Sequence, residues 1–247
     1  MVCRRSFTTK LWIAVLILVG CECNLAAQQD PGQQGAAPVL DDQGTYSLLF
    51  EGHQIGTERF KIHASADKIE AEAEIEIKTD QTGQPVALKS SPRLILDRQW
   101  EPQTYLVNQK GTPEFHLEVD FHKSPAQSRL RLANDKVDDE RDFALPKDVL
   151  IVDDNVVHHY QLLVDRFALK PDKQQTFNAY IPQEATPGVL NIQDMGSEEV
   201  NFAGRHEKLR HLLVSTDIAK IDLWVDGQQH LQRIFIPSVQ LEAVRTK

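Results

Sequence analysis

Apolar and polar residues alternate along most of the chain from residue 45 onward, which is the period of a β-strand with one buried face. The clearest case is 69–78, where Ile and Ala residues alternate with glutamates. This period predicts about twelve strands, at 46–50, 57–63, 69–78, 115–121, 128–133, 176–181, 189–192, 198–202, 208–215, 218–225, 231–236 and 239–244. The connections are too short for βαβ crossovers, so the pairing is expected to be antiparallel.

Charge on the polar faces indicates which strands are neighbours. The acidic strand 69–78 follows a strand that carries Arg59 and Lys61, and the acidic strand 115–121 precedes one that carries Arg129 and Arg131. Antiparallel hairpins would place these opposite charges across from each other. Turn residues at 51–54 and at Asp226-Gly227 fit the same arrangement. We therefore predict a meander with one solvated face.

One segment, 153–169, has the period of a helix instead. Asp153 or Asp154 is a suitable N-cap, and Lys170-Pro171 ends the pattern. The apolar stripe contains Val156, Val157, Tyr160, Leu163, Val164 and Phe167, and the opposite polar stripe contains Asp154, His158, Gln161 and Asp165. The predicted fold is mainly β: one large curved antiparallel sheet, a half-barrel or open barrel, with this single helix on its concave face. A two-domain split near Asp148 is disfavoured, because neither half would have a second layer.

The first 42 residues have the anatomy of an exported protein. Residues 1–20 carry Arg4, Arg5 and Lys10 followed by an apolar run too short to span a bilayer, which predicts a signal peptide. Leu18-Val19-Gly20-Cys21 resembles the lipobox of bacterial lipoproteins, which would make Cys21 the lipid attachment site. Ordinary cleavage after Ala26 or Ala27, giving a soluble periplasmic or secreted protein, is the alternative. If Cys21 is the attachment site, residues 21–42 are the lipid anchor and a flexible linker, and residues 43–247 form a single β-rich domain.

Charge and cysteine content exclude several classes of function. The formal net charge is -9, and without the three basic residues of the signal 24 basic residues face 36 acidic ones, a net charge of -12. Such a charge repels nucleic acid. All three cysteines lie at positions 3, 21 and 23, so the predicted domain has no disulfide, thiol catalysis or cysteine metal site.

Two histidine patterns are candidates for chemistry. Asp154 and His158 lie one helical turn apart and would suit a metal or a proton transfer, although a solvated helix face is the simpler interpretation. His206 and His211 resemble the zinc protease motif, but they are five residues apart in a stretch predicted to be turn and strand. No nucleophile elbow, P-loop or dinucleotide fingerprint is present. We expect no catalytic residue, metal or cofactor.

The inner face of the sheet is the better candidate for a binding site. Ala71 and Ala73 are small residues in the middle of a strand, and they leave room for the helix or for a ligand. Aromatic residues such as Trp224 either pack in the core or line a groove. The predicted ligand-binding residues on the apolar inner face are Ala71, Ala73, Tyr160, Leu163, Phe167 and Trp224.

Three segments carry a family resemblance: Tyr46 to Ile62 with its Phe50, Gly52, Gly56 and Phe60; Asp153-Asp154-Asn155 with His158 and Tyr160; and Leu223 to Asp226. Together they resemble exported bacterial domains of unknown function, similar to the periplasmic lipoprotein-carrier proteins, which are curved half-barrels with helical cover. The resemblance implies an apolar cavity between sheet and helix that binds acyl chains, and it implies no catalytic residue. The carriers have several helices where one is predicted here.

These observations predict a non-enzymatic lipoprotein of the cell envelope, facing the periplasm from the outer membrane, that binds a lipid, an acyl chain or a lipoprotein. One alternative is an envelope scaffold or assembly factor that binds partner proteins through sheet edges or its acidic face. A third is a hydrolase that uses Asp154 and His158.

Overall fold

The structure is a computed structural model that describes residues 41–80, 86–111, 113–132, 138–170, 172–202, 204–217 and 219–246. The predicted signal peptide, Cys21 and most of the predicted linker lie outside these residues. Asp41 and Asp42, which we predicted at the end of the linker, belong instead to the first strand. Both carboxylate oxygens of Asp42 accept hydrogen bonds from the Arg245 guanidinium, at 2.6 and 2.9 Å, which ties the first strand to the last.

The described residues form fifteen strands and one helix. The strands are β1 (Asp41–Phe50), β2 (His53–Ala64), β3 (Lys68–Thr79), β4 (Val86–Asp97), β5 (Pro102–Gly111), β6 (Phe115–Asp120), β7 (Ala126–Leu132), β8 (Asp138–Phe143), β9 (Leu150–Ile151), β10 (Gln174–Ile181), β11 (Thr186–Phe202), β12 (Arg205–Ser215), β13 (Lys220–Val225), β14 (Leu231–Ile236) and β15 (Leu241–Arg245). The helix is α1 (His158–Ala168).

All fifteen strands belong to one sheet, in the order β8-β7-β6-β5-β4-β3-β2-β1-β15-β14-β13-β12-β11-β10-β9. Every neighbouring pair is antiparallel except β9 and β10, which are parallel. The predicted fold class, a large open and curved antiparallel sheet with a single helix, is confirmed. The chain therefore folds outward from β1 in both directions, and β8 and β9 form the two edges.

The count of strands differs from the prediction for identifiable reasons. Strands 189–192 and 198–202 are one long strand, β11, interrupted by a bulge near Met195. The additional strands are β4, β5, β8 and β9. β8 reads Asp-Asp-Glu-Arg-Asp-Phe and lacks the apolar alternation on which the prediction depended. As an edge strand it is bonded on one side only, so it does not require an apolar face to the same degree.

The pairing of acidic with basic strands is confirmed. Arg59 lies opposite Glu74, with Nη2 to Oε2 at 2.8 Å, and Lys61 lies opposite Glu72. Further along the sheet, β6 Glu118 lies opposite β7 Arg129. These side chains are on the solvated face, so they specify register more than they add stability.

Turn chemistry explains two hairpins. Glu51 and Gly52 both have positive φ, 49° and 78°, which is the conformation of a two-residue turn that matches strand twist. The β13–β14 connection is longer than the two-residue turn that Asp226-Gly227 suggested. It occupies 226–230, the positive φ falls on Gln229, and Asp226 Oδ1 accepts hydrogen bonds from the amides of Gln228 and His230.

The helix is shorter and more deeply buried than predicted. It begins at His158 and not near Asp153, and Val157 at its N-cap makes no side-chain capping bond. The polar stripe does not face solvent: His158, Gln161 and Asp165 are each 0% exposed. Only Tyr160 and Arg166 of the helix are half-buried, and every other residue is buried. Thus α1 is enclosed on both of its predicted faces.

Candidate functional site

A pocket of about 260 Å³ lies where the loop before α1 meets residues of β1, β2, β3, β14 and β15. Its wall is mostly apolar. The lining residues are Leu48, Ile55, Ile77, Asp153, Asp154, Asn155, Val156, Val157, Tyr160, Ile234, Ile236, Val239, Leu241, Glu242 and Ala243. A concave apolar surface with a few polar groups is the usual form of a small-molecule site.

A bulge in β2 shapes one wall of this pocket. Leu48 pairs with Gly56 and Leu49 pairs with Gln54, so Ile55 is an extra residue on β2. A bulge turns such a residue away from its normal direction, and here the side chain of Ile55 lines the pocket. Gly56 allows β3 to pass close by, because a Cβ at this position would lie 2.2 Å from the carbonyl oxygen of Glu76. The pairing of Gly56 with Ile77 then brings the second apolar wall into place.

The buried carboxylate of Asp153 holds the loop before the helix. It accepts hydrogen bonds from the Tyr105 hydroxyl at 2.6 Å, from the Gln183 amide at 2.9 Å and from Gln183 Nε2 at 3.0 Å. Burial raises the pKa of Asp153, against these hydrogen bonds, and burial with the nearby Asp153 charge raises the pKa of Tyr105. The loop is thereby fixed to β5 on one side and to the β10–β11 turn on the other.

The start of the helix is held by Glu58 of β2, which is 0% exposed. Its Oε2 accepts a hydrogen bond from the Val157 amide at 2.7 Å, and its Oε1 accepts from the His158 amide at 2.7 Å and from His158 Nδ1 at 2.9 Å. A carboxylate near the positive end of a helix dipole is favourable, and these bonds satisfy amides that the helix leaves unpaired. Glu58 therefore provides the cap that Asp153 and Asp154 were predicted to provide.

Two adjacent buried histidines follow this cap. Because the Glu58 carboxylate only accepts, Nδ1 of His158 carries a hydrogen, and Nε2 of His158 has no hydrogen-bond partner. Nδ1 of His159 accepts from the Asp153 amide at 3.3 Å, and its Nε2 also has no partner. Burial lowers the pKa of His159 well below its ordinary value, and the neighbouring His158 adds to the effect. His159 is therefore held neutral.

Asp154 lies at the exposed mouth of the pocket. Partial withdrawal from water, together with the nearby carboxyl groups of Glu184 and Asp153, raises the pKa of Asp154 to about 6. Across the pocket, burial and the Asp154 charge raise the pKa of the half-buried Tyr160. The mouth thus combines a carboxyl group and a phenol above an apolar interior.

The structure separates the residues that we predicted to bind a ligand. Tyr160 lines the pocket, whereas Ala71, Ala73, Leu163 and Phe167 are buried in the main core among β-sheet and helix side chains. Trp224 was predicted on the inner face and lies on the opposite one, because Leu223 and Val225 on either side of it belong to the main core. The role of these six residues in binding stays a prediction. Of the six, Tyr160 is the one that lines this pocket and could contact a ligand there.

Trp224 belongs to a separate small cluster with Val200, Leu209 and Val244. Its ring stacks on His211 with centroids 5.1 Å apart, and its Nε1 donates to Glu198 Oε1 at 2.6 Å. The Arg233 guanidinium covers the same indole at 4.5 Å. These contacts account for Trp224 as a packing residue of the outer face.

The two histidine patterns do not assemble into catalytic sites. His158 is buried on Glu58 while Asp154 is exposed, and no hydrogen bond joins them. His206 and His211 both lie in β12, where a turn followed by a strand was predicted. Within the described ranges, no group of three or more His, Cys, Asp or Glu residues is arranged to hold a metal ion. No helix in the described part of the chain is long and apolar enough to cross a bilayer.

Glu58 is the main site residue that the sequence analysis missed, although a signal was present. It shares a strand face with Phe60 and Ile62, two residues and four residues further on. A charged residue on an otherwise apolar strand face requires a buried partner. That partner is the start of α1, which is 100 residues away in the sequence.

Comparison with one solved structure supports the fold. The chain is similar to a β-barrel-like protein of the domain of unknown function DUF1849 from Brucella abortus, with a TM-score of 0.56 and 8% identity over 85% of this chain and 98% of that one. A DUF1089 family protein from Pseudomonas aeruginosa matches with a TM-score of 0.44 and 13% identity over 70% and 86% of the two chains. No protein-family model and no curated protein matches the sequence.

Proposed function

We propose that this protein is a non-enzymatic binding protein of the bacterial cell envelope that holds an apolar ligand, such as an acyl chain, in the pocket between the sheet and the start of α1. The observation that carries the proposal is the pocket itself. Eleven of its lining residues are Leu, Ile, Val, Ala or Tyr, on five strands, the helix, the loop before it and the β14–β15 connection. Such a surface favours ligands that release water from apolar groups.

The size of the pocket limits the ligand. A volume of about 260 Å³ lies just below the range of about 300–1,000 Å³ that small-molecule sites occupy. A pocket of this size accommodates one short chain or ring system, which does not extend along the whole sheet. Each methylene that it buries contributes about 0.8 kcal/mol.

The absence of assembled chemistry at the pocket favours binding over catalysis. Asp153 is committed to Tyr105 and Gln183, and Glu242 Oε1 accepts from Arg233 Nε at 2.6 Å. His158, the partner that a hydrolase would need, is committed to Glu58. The carboxyl group of Asp154, at the mouth, is hydrogen-bonded to that of Glu184, and no base is paired with it among the described lining residues.

Partner binding through the sheet edges has less support. The β8 edge carries charged residues, which natural proteins use to prevent pairing with another strand, and the β9 edge is two residues long. Neither edge offers a long unpaired strand to a partner in the described part of the chain.

Location in the envelope rests on the sequence of the first 42 residues. A signal peptide ending before Cys21, lipidation of Cys21 and a linker would place the domain beside a membrane. Such a position suits a protein that accepts or delivers apolar molecules.

Mass spectrometry of the chain as isolated from bacterial cells tests both parts of the proposal. We expect the native mass to exceed the denatured mass by an organic-extractable, chain-bearing molecule. The denatured mass should correspond to a chain that starts at Cys21 and carries covalent acyl groups. A native mass equal to the denatured one, also after incubation with a lipid extract, would refute the pocket as a ligand site.

A further inference from the structure

The charge at the mouth of the pocket is negative, and it is not compensated. Asp154 forms no ion pair with a cation among the described residues. Its side chain is hydrogen-bonded to Glu184, and the charges that raise its pKa are those of the acids Glu184 and Asp153. The lining residues of the described chain include no Lys, Arg or His. Arg233 is the cation bonded to the lining residue Glu242, and it lies over the Trp224 ring on the outer face of the sheet.

The free backbone amides at the start of a helix ordinarily favour an anion, but here the first amides of α1 already have a partner. The amides of Val157 and His158 both donate to the buried Glu58 carboxylate. These are the groups through which a helix N-terminus binds a phosphate or a carboxylate. An anionic ligand head at the mouth would therefore meet Asp154 without a compensating donor from the helix start.

We propose that the pocket selects amphiphiles with a short apolar chain and a cationic, hydrogen-bond-donating head, such as a primary amine, over fatty acids and other anionic amphiphiles. This inference rests on the proposed function. The chain lies against Leu48, Ile55 and Ile77, and the head donates to the Asp154 carboxylate at the mouth. A carboxylate accepts such bonds and attracts the charge, whereas a second carboxylate in the same place would be repelled.

Displacement of a neutral fluorescent probe, N-phenyl-1-naphthylamine, tests the selection with the full chain at pH 7.5. The competitors are decylamine, decanol and decanoate, which share one chain and differ in the head, each used below its micelle concentration. We expect decylamine to displace the probe at roughly one-tenth of the decanoate concentration, with decanol between them. The Asp154→Asn variant should bring the three curves together.

Glu72→Gln is the matched control, because it removes an exposed carboxylate on the solvated face of β3 and should leave the order unchanged. Circular dichroism establishes that both variants are folded. Decanoate binding as tightly as decylamine, or an unchanged order in Asp154→Asn, would overturn the head-group selection while the pocket stands. Failure of the probe and of all three competitors to bind would overturn the proposed function together with this inference.

Discussion

At the residue scale, Glu58 is the side chain on which the geometry of the pocket most depends. Its carboxylate accepts from two backbone amides and one imidazole in a fully buried position. In Glu58→Gln, one of these donors would face an amide NH₂ group, which is itself a donor. We expect the free energy of unfolding in urea to fall by about 2–4 kcal/mol, since a buried network is broken and not replaced.

Glu74→Gln provides the control for this substitution. Glu74 pairs with Arg59 on the solvated face, with 70% of its side chain exposed, and exposed pairs contribute little. Its loss should change the free energy of unfolding by less than about 0.5 kcal/mol. Equal effects of the two variants would contradict the role assigned to Glu58.

His159 makes stability depend on pH. Its pKa is lowered in the fold, so the folded state stays neutral while the unfolded chain takes up a proton below its ordinary pKa of about 6.5. The contribution of His159 to stability is therefore complete above that pH and is lost as the pH falls, by up to about 1.4 kcal/mol per unit. His159→Asn retains an acceptor for the Asp153 amide and removes the titrating ring.

The measurement is the free energy of unfolding of both proteins between pH 7.5 and pH 5. We expect the wild type to lose stability more steeply than His159→Asn. Asp154, whose raised pKa acts in the opposite direction over the same range, is present in both proteins and cancels in the difference. Parallel curves would contradict a buried neutral His159.

At the scale of elements, the helix is attached to the sheet by polar bonds as well as by apolar contacts. Gln161 donates through Nε2 to the Gln229 carbonyl at 2.9 Å and accepts through Oε1 from the Leu231 amide at 2.7 Å. Gln161→Leu would leave both backbone groups buried without partners. We expect the free energy of unfolding to fall by about 2–4 kcal/mol, because each unsatisfied group costs about 1–3 kcal/mol.

Gln193→Leu is the control, since Gln193 is exposed on β11 and makes no such bond. Chemical denaturation of both variants gives the comparison, and the Gln193 variant should remain within about 0.5 kcal/mol of the wild type. If Gln161→Leu were equally neutral, the helix would be held by apolar packing alone.

The strands could be predicted from the sequence alone to a greater extent than the environment of the helix. Alternation and charge pairing were sufficient for the meander, because strand neighbours in a hairpin are also neighbours in sequence, as with Arg59 and Glu74. The environment of the helix was not predictable in the same way. Its polar stripe is satisfied by Glu58 and by Leu231, which lie 100 and 70 residues away from the helix residues they bond. A periodic pattern distinguishes two faces, but it does not reveal that the second face is also enclosed.

The pocket was only partly predictable for a related reason. Tyr160 was identified from the helix period, but the wall at Ile55 depends on a bulge that breaks the strand period. Ala71 and Ala73 suggested free space inside the sheet, and burial of the helix in the main core uses that space. The pocket lies where the loop before the helix, attached to β5 through Asp153 and to β2 through Glu58, meets β14 and β15.

At the scale of the whole molecule, the two edge strands of the sheet, β8 and β9, are not paired with each other. Side chains make the contact between the regions near the two edges. The ring of Phe143, the last residue of β8, lies 4.9 Å from the ring of Tyr180 in β10. Removing this contact in Phe143→Ala should release the β7–β8 edge while leaving the centre of the sheet intact. We expect amide hydrogen exchange in Ala126–Leu132 and Asp138–Phe143 to accelerate roughly tenfold, with β1, β2 and β3 unchanged, since edge regions open independently of the core.

Phe235→Ala, which removes a half-buried ring from the outer-face cluster, should leave β7 and β8 protected. Uniform acceleration across all strands in Phe143→Ala would mean that the sheet opens only as a unit, and that the Phe143–Tyr180 contact contributes to global stability without closing the edge.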